Sequence, residues 1–515
     1  MPFAPETRRT FTIFAIWGSP LIVELIRAIT LGWFPTFDIG FLQLRAFDVG
    51  TSRTPLVGMP STISLATGET TFHPGPLASW LSAIPVRALS FTPQVLLLTT
   101  VLINLVWLFL AAWMVARKIS HVGVAVVAGS IALVGLGPEI LHDPWNPHAA
   151  VLPLAIALLA MVFVLGGDRR WSVIAIIAGS FAAQSHLSFT AASAVAIVVG
   201  LVGVTRRPRS MRETVTAWSA FALCWMGPVI DQLFGGGNLL RLLSAGGEGS
   251  ALGWSEAWNR FVRMAMPWRL MFDRSVDAAD LVAYVRPIEH VLAVLVLVGA
   301  FALFVHHRDH GWGRGGSVML GIIFLQLVVT SFTPMTLSSL FGVHVARSWW
   351  PVMWMFWLCI AATVSRPIVV RTAVRSVMVG VVASSSILLA ATFEKSDLRD
   401  GEWFDATHEV ADEIADVIPS GAYDLEVVGT GYETPLPVGV MADLVRRGID
   451  LRVVGPVTAG LVHRDRIADL GDGRSRLLLV IDDGSSNVER PAGPPIVRIR
   501  ADVKGDPVSV EVWID

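Results

Sequence analysis

Long apolar stretches, separated by short polar connections, recur along most of the chain. A helix that crosses the roughly 30 Å hydrocarbon core of a bilayer needs about 20 apolar residues. The pattern therefore predicts an α-helical polytopic membrane protein with about eleven transmembrane helices. The predicted spans are 11–32, 88–116, 121–138, 148–166, 171–187, 188–204, 214–233, 287–305, 317–333, 348–365 and 374–392.

The charges on the polar connections predict how these spans are oriented. Basic residues gather on one side of the predicted bundle, and the positive-inside rule assigns that side to the cytoplasm. With an odd number of spans, the N-terminus is cytoplasmic, while the loops 33–87 and 234–286 and the C-terminal region lie outside. We expect a multi-pass protein of the cytoplasmic (inner) membrane. The basic residues are Arg8, Arg9, Arg117, Lys118, Arg169, Arg170 and those in 206–212, 308–314 and 366–375.

The pattern changes character at about residue 395. Helical periodicity at 407–418 and 438–447 alternates with short runs typical of strands at 425–428, 451–454, 477–481 and 496–499. Such alternation is typical of an α/β fold. We therefore predict two domains, a transmembrane domain at 1–395 and a small extracytoplasmic α/β domain at 396–515.

Composition and charge narrow the class of protein further. Of the 515 residues, 53% are hydrophobic and 16% charged, and the mean hydropathy is +0.62, which excludes an ordinary soluble protein. Residues 396–515 carry 23 acidic and 12 basic side chains, and the whole chain has a net charge of −2. A nucleic-acid partner is not expected, because such proteins concentrate positive charge. The lipid bilayer is the expected partner.

The first predicted outer loop carries the most informative polar residues. Asp38 follows the first span by about six residues, Asp48 lies ten residues later, and His73 begins the sequence His-Pro-Gly-Pro. A carboxylate at the membrane surface can accept a proton from a reacting hydroxyl. Long ordered loops are usually functional, although a loop aspartate can also simply be solvated.

Further polar residues fall at the same predicted face. His142 and Asp143 occupy the next outer connection, Gln184 and His186 another, and Arg347 precedes a late span. Polar groups that several helices bring to one face favour a single shared site, and the planar guanidinium of Arg347 suits a phosphate. Each residue taken alone is also compatible with a helix cap, a turn or an interfacial anchor.

This layout resembles the GT-C fold glycosyltransferases. The shared features are a first span followed by a long outer loop with an early Asp38, a second acidic residue, Asp143, in the next outer loop, and an extracytoplasmic C-terminal domain. The likeness is greatest to bacterial enzymes grouped with aminoarabinose transferases and protein mannosyltransferases. The segment with Asp38, Asp48 and His73-Pro74-Gly75-Pro76 also resembles bacterial membrane proteins placed in this superfamily.

The resemblance implies a reaction and roles for individual residues. It implies a polyprenyl-phosphate-linked sugar as donor, a cell-envelope glycan, lipid or protein as acceptor, and inversion at the anomeric carbon. By position, Asp38 is the general base and Asp143 a second catalytic acidic group. Arg347 binds the donor phosphate. Asp48, His73, His142, Gln184 and His186 are the other expected substrate-binding residues.

The resemblance also bears on metal dependence. Several relatives have adjacent acidic residues where this chain has Asp38 followed by Ile39. We therefore expect no metal-bridging acidic pair, no metal site and no cofactor.

Two other functions are compatible with this arrangement of spans. A lipid or glycolipid flippase has a similar number of helices, but inverted repeats and charges near mid-span are typical of transporters. A non-catalytic envelope scaffold is the second alternative. Substitution of Asp38 separates these classes, because a scaffold tolerates Asp38→Asn and an enzyme does not.

Overall fold

The computed structural model of the protein describes residues 5–61, 63–64, 70–118, 122–136, 138–206, 210–245, 251–266, 285–333, 346–364, 372–429, 435–454, 466–467, 474–482, 490–503 and 506–514. The main described elements before residue 395 are α-helices. These are α1 (Pro5–Thr30), α2 (Phe37–Asp48), α3 (Leu77–Ala88), α4 (Val95–Lys118), α5 (Val122–Leu136), α6 (Pro138–His142), α7 (Asn146–Ala149), α8 (Val151–Leu165), α9 (Ser172–Ser185), α10 (Thr190–Thr205), α11 (Met211–Phe234), α12 (Asn238–Ala245), α13 (Trp254–Ala265), α14 (Pro287–His306), α15 (Gly311–Ser331), α16 (Trp349–Val364) and α17 (Thr372–Thr392).

Length and composition identify membrane-spanning helices directly. In the described part of the chain, six helical segments are long and apolar enough to cross a bilayer, namely Pro5–Thr30, Val95–Lys118, Asn146–Leu165, Leu187–Thr205, Pro287–His306 and Gly311–Ser331. Shorter apolar helices follow at Val126–Leu136, Trp349–Val364 and Val379–Thr392. The prediction of a multi-pass α-helical membrane protein is confirmed, while the total of about eleven spans stays a prediction.

The C-terminal residues form a mixed sheet with two helices. In chain order the elements are α18 (Phe404–Val417), β1 (Ala422–Gly429), α19 (Leu436–Arg446), β2 (Asp450–Val454), β3 (Ser475–Asp482), β4 (Val497–Val503) and β5 (Asp506–Ile514). The strand order is β2-β1-β3-β5-β4. β1 pairs in parallel with β2 and β3, whereas β5 runs antiparallel to β3 and β4.

The predicted small α/β domain is thereby confirmed, with one strand more than the sequence analysis found. The additional strand is β5. Its alternation of Val508, Val510 and Val512 with polar residues has the period of two that is typical of a strand with one buried face.

Helix α2 joins the two regions, because it packs along α19 of the C-terminal domain. The amide of Phe37 donates to the carbonyl of Pro435 over 3.1 Å, and Gln43 Nε2 donates to the carbonyl of Ala442 over 3.3 Å. A Cβ atom at Gly40 would lie only 2.9 Å from the carbonyl oxygen of Val438. The absence of a side chain at Gly40 therefore allows the close approach of the two helices.

A buried ion pair fixes the other end of α2. Asp48, which the resemblance placed among the substrate-binding residues, is 4% exposed. Its carboxylate accepts from Nε and Nη2 of Arg466 over 2.8 and 2.5 Å. Arg466 Nη1 also donates to the carbonyl of Leu451 over 2.7 Å. The structure thus gives Asp48 a partner within the protein, in the C-terminal domain.

We expect Asp48→Asn to weaken the docking of α2 by about 3 kcal/mol, because removal of one charge leaves Arg466 buried without its counter-ion. Hydrogen exchange of residues 436–446 in the detergent-solubilised protein measures the change. Arg53→Gln is the matched control. It breaks the Arg53–Asp450 pair (2.6 Å) across the same interface, where the Asp450 side chain is 41% exposed, and exposed pairs contribute about 1 kcal/mol or less. Equal protection in both variants would contradict the expectation.

Candidate functional site

Asp38 lies in the first turn of α2, beside an aromatic ring and a guanidinium. Its Oδ2 accepts a hydrogen bond from Nε1 of Trp145 over 2.9 Å and lies 3.5 Å from Nη2 of Arg399. The Arg399 guanidinium stacks on the Trp145 ring, 3.7 Å from the ring centroid. About a third of the Asp38 side chain remains exposed, at 33%. The carboxylate is therefore oriented by the protein and still accessible.

Asp143 and His148 form a buried pair next to Trp145. Oδ2 of Asp143 lies 2.7 Å from Nδ1 of His148, and Oδ1 accepts from the amide of Trp145 over 3.2 Å. Burial alone would raise the pKa of Asp143. The hydrogen bond with His148 and the electrostatic influence of His148, Arg399 and His142 outweigh burial and lower this pKa. Asp143 is thus held as a carboxylate at neutral pH.

His142 directs its side chain away from this pair. Its Nδ1 lies 3.5 Å from Oε2 of Glu24 on α1, and its ring stacks on Phe393 at 5.4 Å. Both Glu24 and His142 are buried. Arg27, one turn after Glu24, donates to the carbonyl of Phe393 over 3.0 Å. His142 therefore contacts α1 and the residue that follows α17, and it does not belong to the Asp143–His148 pair.

A second set of polar residues gathers around the turn between α9 and α10. The rings of His73 and His186 lie 4.4 Å apart, and His73 Nδ1 accepts from the amide of Leu187 over 3.2 Å. Nδ1 of His186 lies 2.9 Å from Oγ of Ser188. Gln184 is fully buried, and its Nε2 donates to the carbonyl of Cys224 over 2.7 Å.

Arg347 reaches the same region from the start of α16. Its neighbour Ser348 accepts from Nε2 of Gln326 over 2.6 Å, and the same Nε2 lies 3.2 Å from the carbonyl of Ser188. Arg347 is 7% exposed, and its charge acts on His148 together with that of Arg399. The buried Gln326 amide thus connects the Arg347 segment to the turn after His186.

The structure brings most of the predicted residues into two adjoining groups. The acidic group consists of Asp38, Asp143, Trp145, His148 and Arg399, and the polar group of His73, Gln184, His186, Ser188, Gln326, Arg347 and Ser348. A hydrogen bond connects the two groups. Asn146, next to Trp145 of the acidic group, donates to the carbonyl of Ser185, next to His186 of the polar group, over 3.0 Å. Asp48 lies outside both groups.

This arrangement combines carboxylates with arginines at one end of the membrane helices. An accessible carboxylate can accept a proton, and guanidinium groups can stabilise an anion. Among the residues that the structure describes, histidine, cysteine, aspartate and glutamate form no group of three with the spacing of a metal site. The expectation of a metal-independent site stays a prediction.

Neither Arg399 nor Trp145 is among the site residues that the sequence predicts. Arg399 lies in the polar segment between α17 and α18, where a charged residue is unremarkable. Its position beside Asp38 depends on the packing of the C-terminal domain. No pattern in the local sequence indicates that contact.

Comparison with known proteins shows the fold of the chain. The sequence matches no protein-family model and no curated protein. The structure is similar to the crystal structure of ArnT from Cupriavidus metallidurans bound to undecaprenyl phosphate, with a TM-score of 0.54 and 11% sequence identity over 98% of both chains. The predicted GT-C fold is thereby confirmed, while at this identity the likeness carries the fold alone.

We expect Gly75→Ala to destabilise the polar group by about 1–3 kcal/mol, the usual range for overpacking. A Cβ atom at Gly75 would lie 2.1 Å from Oε1 of Gln184, whose side chain is held by its bond to Cys224. Thermal unfolding of the detergent-solubilised protein measures the effect. In a Gln184→Ala background the same substitution should cost much less. An equal cost in both backgrounds would show that the collision is not the cause.

Proposed function

We propose that the protein is an inverting glycosyltransferase that moves a sugar from a polyprenyl-phosphate donor to a cell-envelope acceptor at the outer face of the cytoplasmic membrane. The observation that carries the proposal is the position of Asp38 within a GT-C fold. Its carboxylate is partly exposed, oriented by Trp145 and adjacent to the buried Asp143–His148 pair.

The chemistry needs a base on one side of the sugar and positive charge on the other. The Asp38 carboxylate accepts the proton of the acceptor hydroxyl as its oxygen bonds to the anomeric carbon. The bond from that carbon to the phosphate oxygen breaks, and the polyprenyl phosphate departs with the electron pair. Arg347 stabilises the negative charge on the leaving phosphate. Attack from the face opposite the phosphate inverts the anomeric configuration.

An apolar cavity supports a lipid-linked donor. It has a volume of about 160 Å³ and is lined by residues of α1, α4, α5, α8 and α16, among them Trp17, Leu133, Leu152, Pro351 and Trp354. Apolar cavities of about 150 Å³ bind molecules the size of benzene, so this one accommodates a segment of hydrocarbon chain. Pro351 lies four residues after Arg347, and the proposal places the headgroup of a lipid in the cavity toward that arginine.

The comparison supports the chemical class of the proposed lipid. The crystal structure of ArnT contains undecaprenyl phosphate, an isoprenoid phosphate with a long apolar chain. A similar fold with an apolar cavity beneath an arginine supports a donor of the same class here.

We expect Asp38→Asn to lower sugar transfer by about 100-fold or more, because the amide cannot accept the hydroxyl proton and general-base catalysis contributes about 10²–10⁴. The measurement is transfer of radiolabelled sugar from polyprenyl-phosphate donors to a cell-envelope extract by the purified protein. The variant's thermal unfolding serves as the control for folding.

Two other results would change the assignment of the base or of the function. Equal transfer by wild type and variant would keep the enzyme class and remove Asp38 as its base. Absence of transfer by wild type, together with movement of labelled lipid between the leaflets of proteoliposomes, would favour a flippase.

We expect Ala155→Phe, which places a ring in the apolar cavity, to raise KM for the donor about tenfold or more while kcat changes little. The cavity loses volume for the lipid chain, whereas the acidic group at the helix ends is unchanged. Val106→Phe is the matched control, because Val106 is 59% exposed on a membrane helix and lies outside the cavity lining. An unchanged donor KM in Ala155→Phe would show that the lipid chain binds elsewhere.

A further inference from the structure

We infer that Arg399, in the segment that joins the membrane helices to the C-terminal domain, binds an anionic phosphate oxygen of the substrate beside Asp38. The inference deepens the proposed function and rests on it for the reaction, while the contacts themselves come from the structure. It makes the C-terminal region a contributor to the site.

The guanidinium of Arg399 is held in place from three directions. It lies 3.5 Å from Oδ2 of Asp38 and 3.9 Å from Oδ2 of Asp400, and it stacks 3.7 Å from the centroid of Trp145. A guanidinium on an aromatic face keeps its edge, with the N–H donors, available for other partners. The stack therefore fixes the orientation of the group without using its donors.

One of these donors, Nε, has no hydrogen-bond acceptor among the residues that the structure describes. An arginine has five N–H donors. Charge-assisted bonds to carboxylates are usually 2.7–2.9 Å long, whereas Arg399 lies 3.5 Å from the Asp38 carboxylate and 3.9 Å from that of Asp400. The Nε atom is also buried. A buried donor without an acceptor is costly. The guanidinium therefore keeps hydrogen-bonding capacity that the described protein does not use.

The group is also accessible to a ligand. About 29% of the Arg399 side chain and 33% of the Asp38 side chain are exposed, whereas Asp143 and His148 beside them are buried. The positive charge of Arg399 reduces the repulsion between the Asp38 carboxylate and an approaching anion. A phosphate oxygen can therefore reach the exposed part of the Arg399 guanidinium.

The backbone on both sides of this contact is strained. Among the described residues, the non-glycine residues with positive φ are Phe37, at 35°, and Asp400, at 55°. One precedes Asp38 and the other follows Arg399. Thr36 Oγ1 and Asp400 Oδ2 connect the two segments over 3.3 Å. Such backbone conformations are unfavourable for residues with a side chain, and they cluster at functional sites.

The phosphate has two chemical sources, the lipid-linked donor and a phosphate on the acceptor. Both present the same oxygen atoms to a guanidinium. The experiment therefore measures donor binding and acceptor kinetics separately on the same full-length variants.

The test compares wild type with Arg399→Gln and Arg399→Lys, using undecaprenyl phosphate as the binding probe in detergent. We expect Arg399→Gln to bind it roughly ten- to hundredfold more weakly, the usual effect of losing a charge-assisted hydrogen bond. Arg399→Lys should recover part of the loss, because it keeps the charge without the planar donors. Arg53→Gln is the matched control, since it removes the same charge at the same domain interface and should bind like wild type.

Each result decides a specific point. A tenfold loss of undecaprenyl phosphate binding in Arg399→Gln, absent in Arg53→Gln, supports the inference with the donor as the source. Unchanged binding with a tenfold rise in acceptor KM and a near-constant kcat supports it with the acceptor as the source. Unchanged binding without such a rise overturns it. Failure of the proposed function has a different signature, because wild type then binds the lipid without transferring sugar.

Discussion

Helix α2 lies between the membrane helices and the C-terminal sheet, and Asp38 is in its first turn. The helix is held at its start by the Phe37–Pro435 backbone bond and at its end by the buried Asp48–Arg466 pair. Gly40 allows the backbone of α19 to approach closely between these points. A buried ion pair tolerates little displacement, because separation leaves two charges uncompensated. The position of the Asp38 carboxylate therefore depends on the C-terminal domain, although no strand of the sheet contributes to the acidic group.

The two groups of the site differ in how their polar atoms are satisfied. In the polar group, Gln184 bonds to a backbone carbonyl, and Gln326 reaches both Ser348 and the carbonyl of Ser188. These bonds fix the turn after His186 and the segment with Arg347. In the acidic group, the contact between Asp38 and Arg399 is longer, at 3.5 Å, and both side chains remain partly exposed. The bonds of the polar group thus hold the segment that carries Arg347, and the acidic group keeps capacity for a ligand.

The similarity to ArnT at 11% identity shows how weakly the GT-C fold depends on particular residues. Membrane helices need apolar surfaces of the right length, and many combinations of Leu, Val, Ala and Phe provide them. The small polar set at one end of the helices is less interchangeable, because each donor and carboxylate acts at a defined distance. The chemistry of the site therefore depends on that small set of polar residues.

The sequence by itself determined the membrane class, the spans at the positions of the observed apolar helices, and the small α/β region, because hydrophobic periodicity is a local property of the chain. It also identified Asp38, Asp143, His73, Gln184, His186 and Arg347 as polar residues that accumulate at one end of the helices. Tertiary structure decided which of them meet. Asp48 is paired with Arg466, His142 faces Glu24, and Arg399 lies beside Asp38. These contacts join segments that are distant in the chain, so they depend on how helices and sheet pack and leave no local pattern in the sequence.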